Sequence, residues 1–305
     1  MDAATPVRLA RTYAAEGVSS NQLRSLVAGG ELSRVRRGAY TAALSEGFEA
    51  RQRQLIEATM PRLGADTYLS HGSAAMLHGL PTWQEYLNRV HVTKPRANGG
   101  RVGRFVHVHA ALLAEAEQLD LCGLPATALP RTAADCARCW SYEHAVALMD
   151  RALRLGLERD ELVDQLDAGR GRRGASQARR VAAFADSRAE SAGESLSRVE
   201  LVRLGLTPSD LQLEVRDELD RLVAYADFGW REQRTLGEFD GKIKYGRLLK
   251  PGQTAGDVIF AEKRREDRLR DLGWEVVRWT WEDLRHPQRI AERLHRAFER
   301  AARRR

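Results

Sequence analysis

A chain assembled from separate α+β and α/β domains is what this sequence predicts, and three observations carry the prediction. Its 305 residues exceed what one hydrophobic core ordinarily fills, so two or three domains are expected. The composition, 43% apolar and 30% charged, is that of a globular chain rather than a disordered one. Helical and strand periodicities also alternate along the length, and the last third reads α, β, β, β, α, β. The pattern divides the chain into residues 1–48, 49–150, 151–190 and 191–305.

Residues 1–48 open with an amphipathic helix over Val7 to Glu16, ended by Gly17. A second helix takes Ser20 as N-cap, turns Leu23, Leu26 and Val27 inward and stops at Gly29-Gly30. Leu32 to Tyr40 then reads as two short strands around a basic turn. Helix, turn, helix and basic ribbon is the order of a winged helix-turn-helix, whose second helix enters the DNA major groove. On that reading Asn21, Gln22 and Arg24 offer the donors and acceptors to read base edges, and Arg34, Arg36 and Arg37 meet phosphates or the minor groove. A plain cap domain with a solvated basic hairpin has the same spacing. The run from Ala10 to Thr41, above all Val35-Arg36-Arg37-Gly38-Ala39-Tyr40-Thr41, is similar to the N-terminal winged-helix domain of AbiEi-family antitoxins of type IV toxin–antitoxin systems. That resemblance implies a module that binds DNA, typically its own operator, and a cognate toxin as partner.

Residues 49–150 read as an α+β segment. Glu49 to Met60 is helical and Pro61 to Gly64 breaks it, while a second helix runs through His78 to Gly79. Strands are expected at Arg89 to Thr93 and Phe105 to His109, and a helix beginning near Thr132 as its cap. The strings from Ser70 to Gly79 and from Leu124 to Asp135 resemble the segment that follows the winged helix in AbiEi-like proteins, with no chemistry attached. His71, His78, His107 and His109 suggest a ligand set, but His71 and His78 lie seven apart on a helix with an Ala/Leu-rich stripe. Partly buried, hydrogen-bonded histidines account for them better than a metal does. Cys136-Ala137-Arg138-Cys139 lies inside a helical pattern with no second CxxC, so buried thiols are expected and zinc is not. Residues 151–190 form a charged helical connector interrupted by the basic stretch Gly169 to Gly174, which reads as a hinge.

In residues 191–305 a helix over Glu194 to Leu204 precedes strands at Leu211 to Val215, Leu222 to Phe228 and Thr235 to Ile243. A helix from Val258 to Leu272, a strand from Trp274 to Thr280 and an amphipathic helix from Trp281 to Arg300 complete the chain. The order αβββαβ is that of a restriction-endonuclease-like core. If the turn after the second strand centres on Glu232 and Gln233, Asp227 pairs with Glu238, and Glu238, Asp240 and Lys242 share a face. Facing carboxylates repel unless a cation sits between them, and magnesium is held by carboxylate oxygens. This is the pattern of a metal-assisted phosphodiesterase site; a solvated acidic face is the plainer alternative.

Asp227, Glu238-Phe239-Asp240-Gly241, the helix string Glu262 to Leu269 and the strand string Gly273 to Trp281 occur in an order that resembles the domain related to very-short-patch repair endonucleases, within the PD-(D/E)XK nuclease superfamily. The resemblance covers Ser191 to the C-terminus. It implies a magnesium-dependent DNA endonuclease in which Asp227 is the first metal-binding acid and Glu238 the (D/E) residue. The lysine position holds Asp240 here, which leaves the catalytic cation to Lys242, Lys244 or Lys263, or to none. Glu194, in Glu194-Ser195-Leu196-Ser197-Arg198, matches a string of that family in which the Glu faces the metal.

The formal charge of +7 and a pI near 9.6 favour a polyanion, double-stranded DNA first. No segment approaches the roughly 18–20 apolar residues of a membrane span, so no membrane partner is expected. The N-terminus carries Asp2 and lacks an apolar core for a secretory signal, and three cysteines suit a reduced cytoplasm, at the nucleoid. The function expected is that of a DNA-binding, AbiEi-like regulator with a nuclease-like domain; the alternative is an active magnesium-dependent endonuclease.

Overall fold

Residues 6–241 and 255–304 are described by the computed structural model, and their strands fall into three sheets. The first gathers β1 (Arg8–Leu9), β2 (Ser33–Arg36) and β3 (Ala39–Thr41) in the antiparallel order β1, β3, β2. Helices α1 (Ala10–Ala15) and α2 (Ser20–Ala28) lie between β1 and β2 in sequence. Arg8 and Leu9, expected inside the first helix, are extended because they pair with Tyr40 and Ala39. The cap of α2 is Ser19 rather than Ser20. Its hydroxyl accepts from the Gln22 N–H while the Gln22 side chain accepts from the Ser19 N–H, a reciprocal capping box.

A six-stranded mixed sheet follows, built from β4 (Tyr68–Leu69), β5 (Val90–Lys94), β6 (Arg101–Val102), β7 (Val106–Ala110), β8 (Gln118–Leu121) and β9 (Leu124–Thr127). The order across it is β6, β7, β5, β4, β9, β8, with β5 parallel to β7 and β4 parallel to β9. Helices α3 (Phe48–Thr59) and α4 (His71–Leu77) send Ile56 and Met76 into a core with Leu69, Val90, Val92 and Ala126, flanked by Val106 and Val108. Of these strands, β5 and β7 are read from sequence by their alternation, whereas β4 and β6 are only two residues long. Helix α5 (Leu129–Cys139) begins three residues before Thr132, whose hydroxyl lies against Thr127 within the first turns instead of capping the helix.

After α6 (Tyr142–Arg154), α7 (Arg159–Ala168) and α8 (Ala175–Phe184) enclose the basic Gly169 to Gly174 stretch. Its ends lie against α5, where a Cβ on Gly174 would come 2.1 Å from the Arg138 carbonyl oxygen, while residues 170–173 between them are exposed. The chain's compact units are Met1–Ser141 with Gly156–Ala182, and Tyr142–Leu155 with Ala183–Arg305. They differ from the divisions at 150 and 190 because α6 belongs with the second unit: its buried Asp150 receives the Arg198 guanidinium at 2.8 Å.

The second unit continues with α9 (Ala192–Arg203), β10 (Asp210–Arg216), β11 (Leu222–Trp230), β12 (Thr235–Asp240), α10 (Ala255–Asp271), β13 (Glu275–Thr280), α11 (Trp281–Leu284) and α12 (Pro287–Arg303). From α9 to β13 the element order is the expected αβββαβ. The four strands lie in sequence order, antiparallel except for the parallel pair β12 and β13. Phe228, Trp230, Val277 and Trp279 pack with Leu201 of α9 and Ile290 and Leu294 of α12, while Leu213, Val215, Ala226 and Leu236 pack with Leu269 of α10. Helix α9 rides close on β12. A Cβ at Gly193 would lie 1.9 Å from the Phe239 ring, so no larger residue fits there without displacement. Among the described residues no helix is long and apolar enough to cross a membrane.

Candidate functional site

The β11–β12 hairpin has the expected register: Trp230 pairs with Thr235, Gly229 with Leu236 and Phe228 with Gly237. The paired ladder ends there, one step short of Asp227 and Glu238. Their carboxylates take different partners. Asp227 Oδ2 accepts the Phe239 N–H at 2.7 Å, and Oδ1 accepts the Gln212 side-chain amide at 3.4 Å. The same amide donates to Glu194 Oε2 at 3.1 Å, so Gln212 bridges the acids of β11 and α9. Glu194 is fixed further by the Ser191 hydroxyl and the Glu190 N–H, each at 2.7 Å.

Gln212 explains the convergence. It lies between the β10–β11 pairs Leu211–Phe228 and Leu213–Ala226, with Asp227 at the same step of β11, and its φ of 51° lies in the left-handed region. On one side of it Leu211 and Phe228 belong to the core under α9 and α12; on the other Leu213 and Ala226 belong to the core under α10. A left-handed non-glycine residue costs about 1–3 kcal/mol and reverses the strand's facing, which points to a site that requires it. Nothing in the sequence pattern marks this glutamine.

Glu238 is bonded to arginine rather than to a group that also bonds Asp227. Arg265 reaches its Oε1 at 2.9 Å and Arg278 its Oε2 at 2.8 Å, and the side chain is only 14% exposed. Glu262 and Glu266 extend this ion-pair network from α10, with Arg278 bonded to both. Burial first, then the charge of Glu194 and more weakly that of Glu238, pushes the Asp227 carboxyl up to about 7, against the hydrogen bonds from Phe239 and Gln212. Asp240 ends β12 level with Thr280 of β13 and is partly buried. Lys263 is exposed on α10, and Lys242 and Lys244 lie outside the described residues.

In the first unit, Asn21, Arg24, Arg34 and Arg37 are exposed. Arg24 bonds the Asn21 side chain, and the Gln22 side-chain oxygen serves the capping box, so of these only the remaining donors and acceptors face outward. Arg36 departs from the expected phosphate-facing set. The β2–β3 register shifts between Arg34 and Arg36, and the Arg36 guanidinium turns inward to the Thr59 hydroxyl at 2.8 Å and over the Phe105 ring.

A second cluster differs from the histidine set read in sequence. His78 is bonded to the Thr127 carbonyl at 2.9 Å, as a satisfied histidine. His71, His107 and His109 do converge, joined by His91: His71 stacks on His109 at 3.6 Å between ring centres, and His107 on His109 at 3.9 Å. Parallel pairing of β5 with β7 brings His91 in, a long-range contact that residue spacing does not show. Cys136 is buried on α5, where burial pushes its thiol up.

No family model matches the chain. Two curated relatives from Mycobacterium tuberculosis are similar to it: "Uncharacterized protein MT2308" of strain CDC 1551 / Oshkosh and "Uncharacterized protein Rv2248" of strain ATCC 25618 / H37Rv. Each is 32% identical over 243 residues, covering 78% of this chain and 84% of the relative.

Proposed function

The chain belongs to the family of those two mycobacterial proteins, and from that premise we propose that it is a DNA-binding protein with a restriction-endonuclease-like second unit. In the first unit a winged helix-turn-helix docks on the duplex through α2 and the β2–β3 hairpin, with Arg34 and Arg37 at phosphates. In the second unit, Asp227 and Glu194 hold a divalent cation. One observation carries this reading: two acids from different elements share the Gln212 amide, and Asp227 has no cationic side chain bonded to it among the described residues. Crowded carboxylates of this kind are relieved by a proton or by a metal.

The donor set fits magnesium, because carboxylate oxygens are hard ligands. The fit is to Asp227 and Glu194; Glu238 serves Arg265 and Arg278 instead. When bound, magnesium would supply a more acidic water and neutralise charge on a phosphoryl group. The protein's own residues position that chemistry. Gln212 fixes the separation of the acids, the Phe239 N–H orients Asp227, and the Arg265–Glu238–Arg278 network braces β12 against α10 and β13.

The test is nicking of supercoiled plasmid with magnesium or manganese. Wild type and Glu238→Gln nick and Asp227→Asn and Glu194→Gln do not, if the cation position is as proposed; equal nicking by all four removes it. Binding to duplex DNA at fixed salt weakens on Arg34→Ala and Arg37→Ala, and unchanged affinity removes the docking role. A second reading is favoured by the arginine-bound Glu238 and by Asp240 at the lysine position: an AbiEi-like regulator, paired with a cognate toxin, that binds DNA without cutting it. Duplex binding with no nicking by the wild type selects it.

A further inference from the structure

The histidine cluster of the first unit has the makings of a site of different chemistry. Strands β5 and β7 pair with His91 beside His107 and Thr93 beside His109. Val90, Val92, Val106 and Val108 pack in the core, so alternation sets His91, Thr93, His107 and His109 on the opposite face. One ring nitrogen from each of His91, His107 and His109 lies within 4.8 Å of the other two, and His91 Nδ1 stands 3.1 Å from His109 Nε2. Nitrogens on a single tetrahedral ion, with bonds of roughly 2.0–2.1 Å, stand about 3.3 Å apart. Closing the triad therefore takes ring rotations of about 1 Å at the nitrogens, which partly exposed side chains can make.

We propose that His91, His107 and His109 bind one divalent transition-metal ion of the zinc class, with the fourth position left to water or a small ligand. Imidazole nitrogens suit zinc, cobalt, nickel and copper(II), whereas magnesium and calcium prefer oxygen. The site is thus independent of the acid pair at Asp227 and Glu194. Burial, then the charge of His107 and Arg89, holds His91 down to about 4, and burial, then His107 and His91, holds His109 down to about 3, so these rings are in the neutral form that ligates a metal. The proton shared between His91 Nδ1 and His109 Nε2 moves to the outer nitrogen of the ring that carries it, and no charge is lost from the ligand set.

Two further groups shape the site. Buried His71 lies flat against His109 and bonds the Ser70 hydroxyl at 3.0 Å, so it positions the His109 plane without ligating. The buried Thr93 hydroxyl, level with His109, has no hydrogen-bond partner among the described residues and is placed to serve an outer imidazole nitrogen or a metal-bound water. Arg89 opposes a cation, which sets the affinity below that of a site without it.

The experiment uses the untagged full-length protein, treated with chelator and titrated with zinc chloride and cobalt(II) chloride by calorimetry and visible absorption. One equivalent of zinc is expected in a background of excess magnesium, which occupies the carboxylate pair, with cobalt giving the bands of a four- or five-coordinate ion that zinc bleaches and magnesium does not. His107→Gln and His109→Gln each lower zinc affinity by about tenfold or more, while His295→Gln on α12 leaves it unchanged. Absence of equimolar uptake, wild-type affinity in both cluster variants, or loss in His295→Gln overturns the proposal. Should either cluster variant lose its folded circular dichroism, the cobalt-loaded wild type decides: strongly shifted imidazole N–H proton resonances support the triad, and their absence overturns it.

Discussion

Two regions of this molecule crowd like groups together and resolve the crowding in opposite ways. On β11, β12 and α9 the crowded groups are carboxylates; one, Glu238, is neutralised by Arg265 and Arg278, and another, Asp227, shifts its titration toward neutral pH. On β5 and β7 the crowded groups are imidazoles, which stay uncharged and stack. Burial penalises the charged form in both places, so acids rise and histidines fall. The comparison teaches that backbone register places such groups together, while the available counter-charges decide which of them remain free for a ligand.

The largest expected effect tests the arginine solution. Arg278→Met leaves Glu238, Glu262 and Glu266 without their shared partner, and it should destabilise the protein by about 2–4 kcal/mol in urea unfolding. A change under 1 kcal/mol would show that Arg265 alone suffices.

The next concerns Asp227, whose folded pKa lies above its unfolded value. The folded state therefore holds the proton more tightly, so the stability this group contributes is full below about pH 4 and lost as pH rises through about 7. In magnesium-free buffer Asp227→Asn should remove that slope, leaving the variant about 1–2 kcal/mol more stable than wild type at pH 8 after allowance for solvent screening. Urea midpoints from pH 5 to pH 8 check it, and parallel curves for the two proteins break the comparison.

The histidines have the reverse sign. Their folded pKa values lie below the ordinary range, so in metal-free buffer stability is lost as pH falls from about 6.5 toward 4. His109→Gln should flatten that acid limb by roughly 1 kcal/mol. Thermal melts at pH 4.5 and 7 supply the difference, and a limb as steep as wild type's would assign it elsewhere.

The smallest effect sharpens the geometry. Gln212→Ala loses the amide bridge and keeps the left-handed strain, whereas Gln212→Gly loses the bridge and relieves the strain. The glycine variant should exceed the alanine variant in stability by about 0.5–1 kcal/mol, read as a difference in melting temperature.

Sequence disclosed these features unevenly, for physical reasons. The hairpin register from Trp230–Thr235 to Phe228–Gly237 was legible because turn position and alternation act within a dozen residues. The fate of Glu238 was not, because its arginines come from α10 and β13 and only parallel pairing of β12 with β13 brings Arg278 alongside. Gln212 carries no signal, since a left-handed strand residue need not be glycine. His91 escaped for the same reason as Arg278, and Arg36 was misplaced because a register shift in a short hairpin re-aims a side chain without changing its spacing.

Gly193 gives the acid site an unusual dependence. The neighbouring Glu194 is carried by a helix whose Gly193 sits directly against the Phe239 ring, so the place of Glu194 depends on how closely α9 seats on that ring. A single methyl at position 193 would have to displace either the Phe239 ring or α9, disturbing the setting of Glu194 with both carboxylates chemically intact. On the proposed reading, cation binding at the acids then depends on a residue that has no functional group at all.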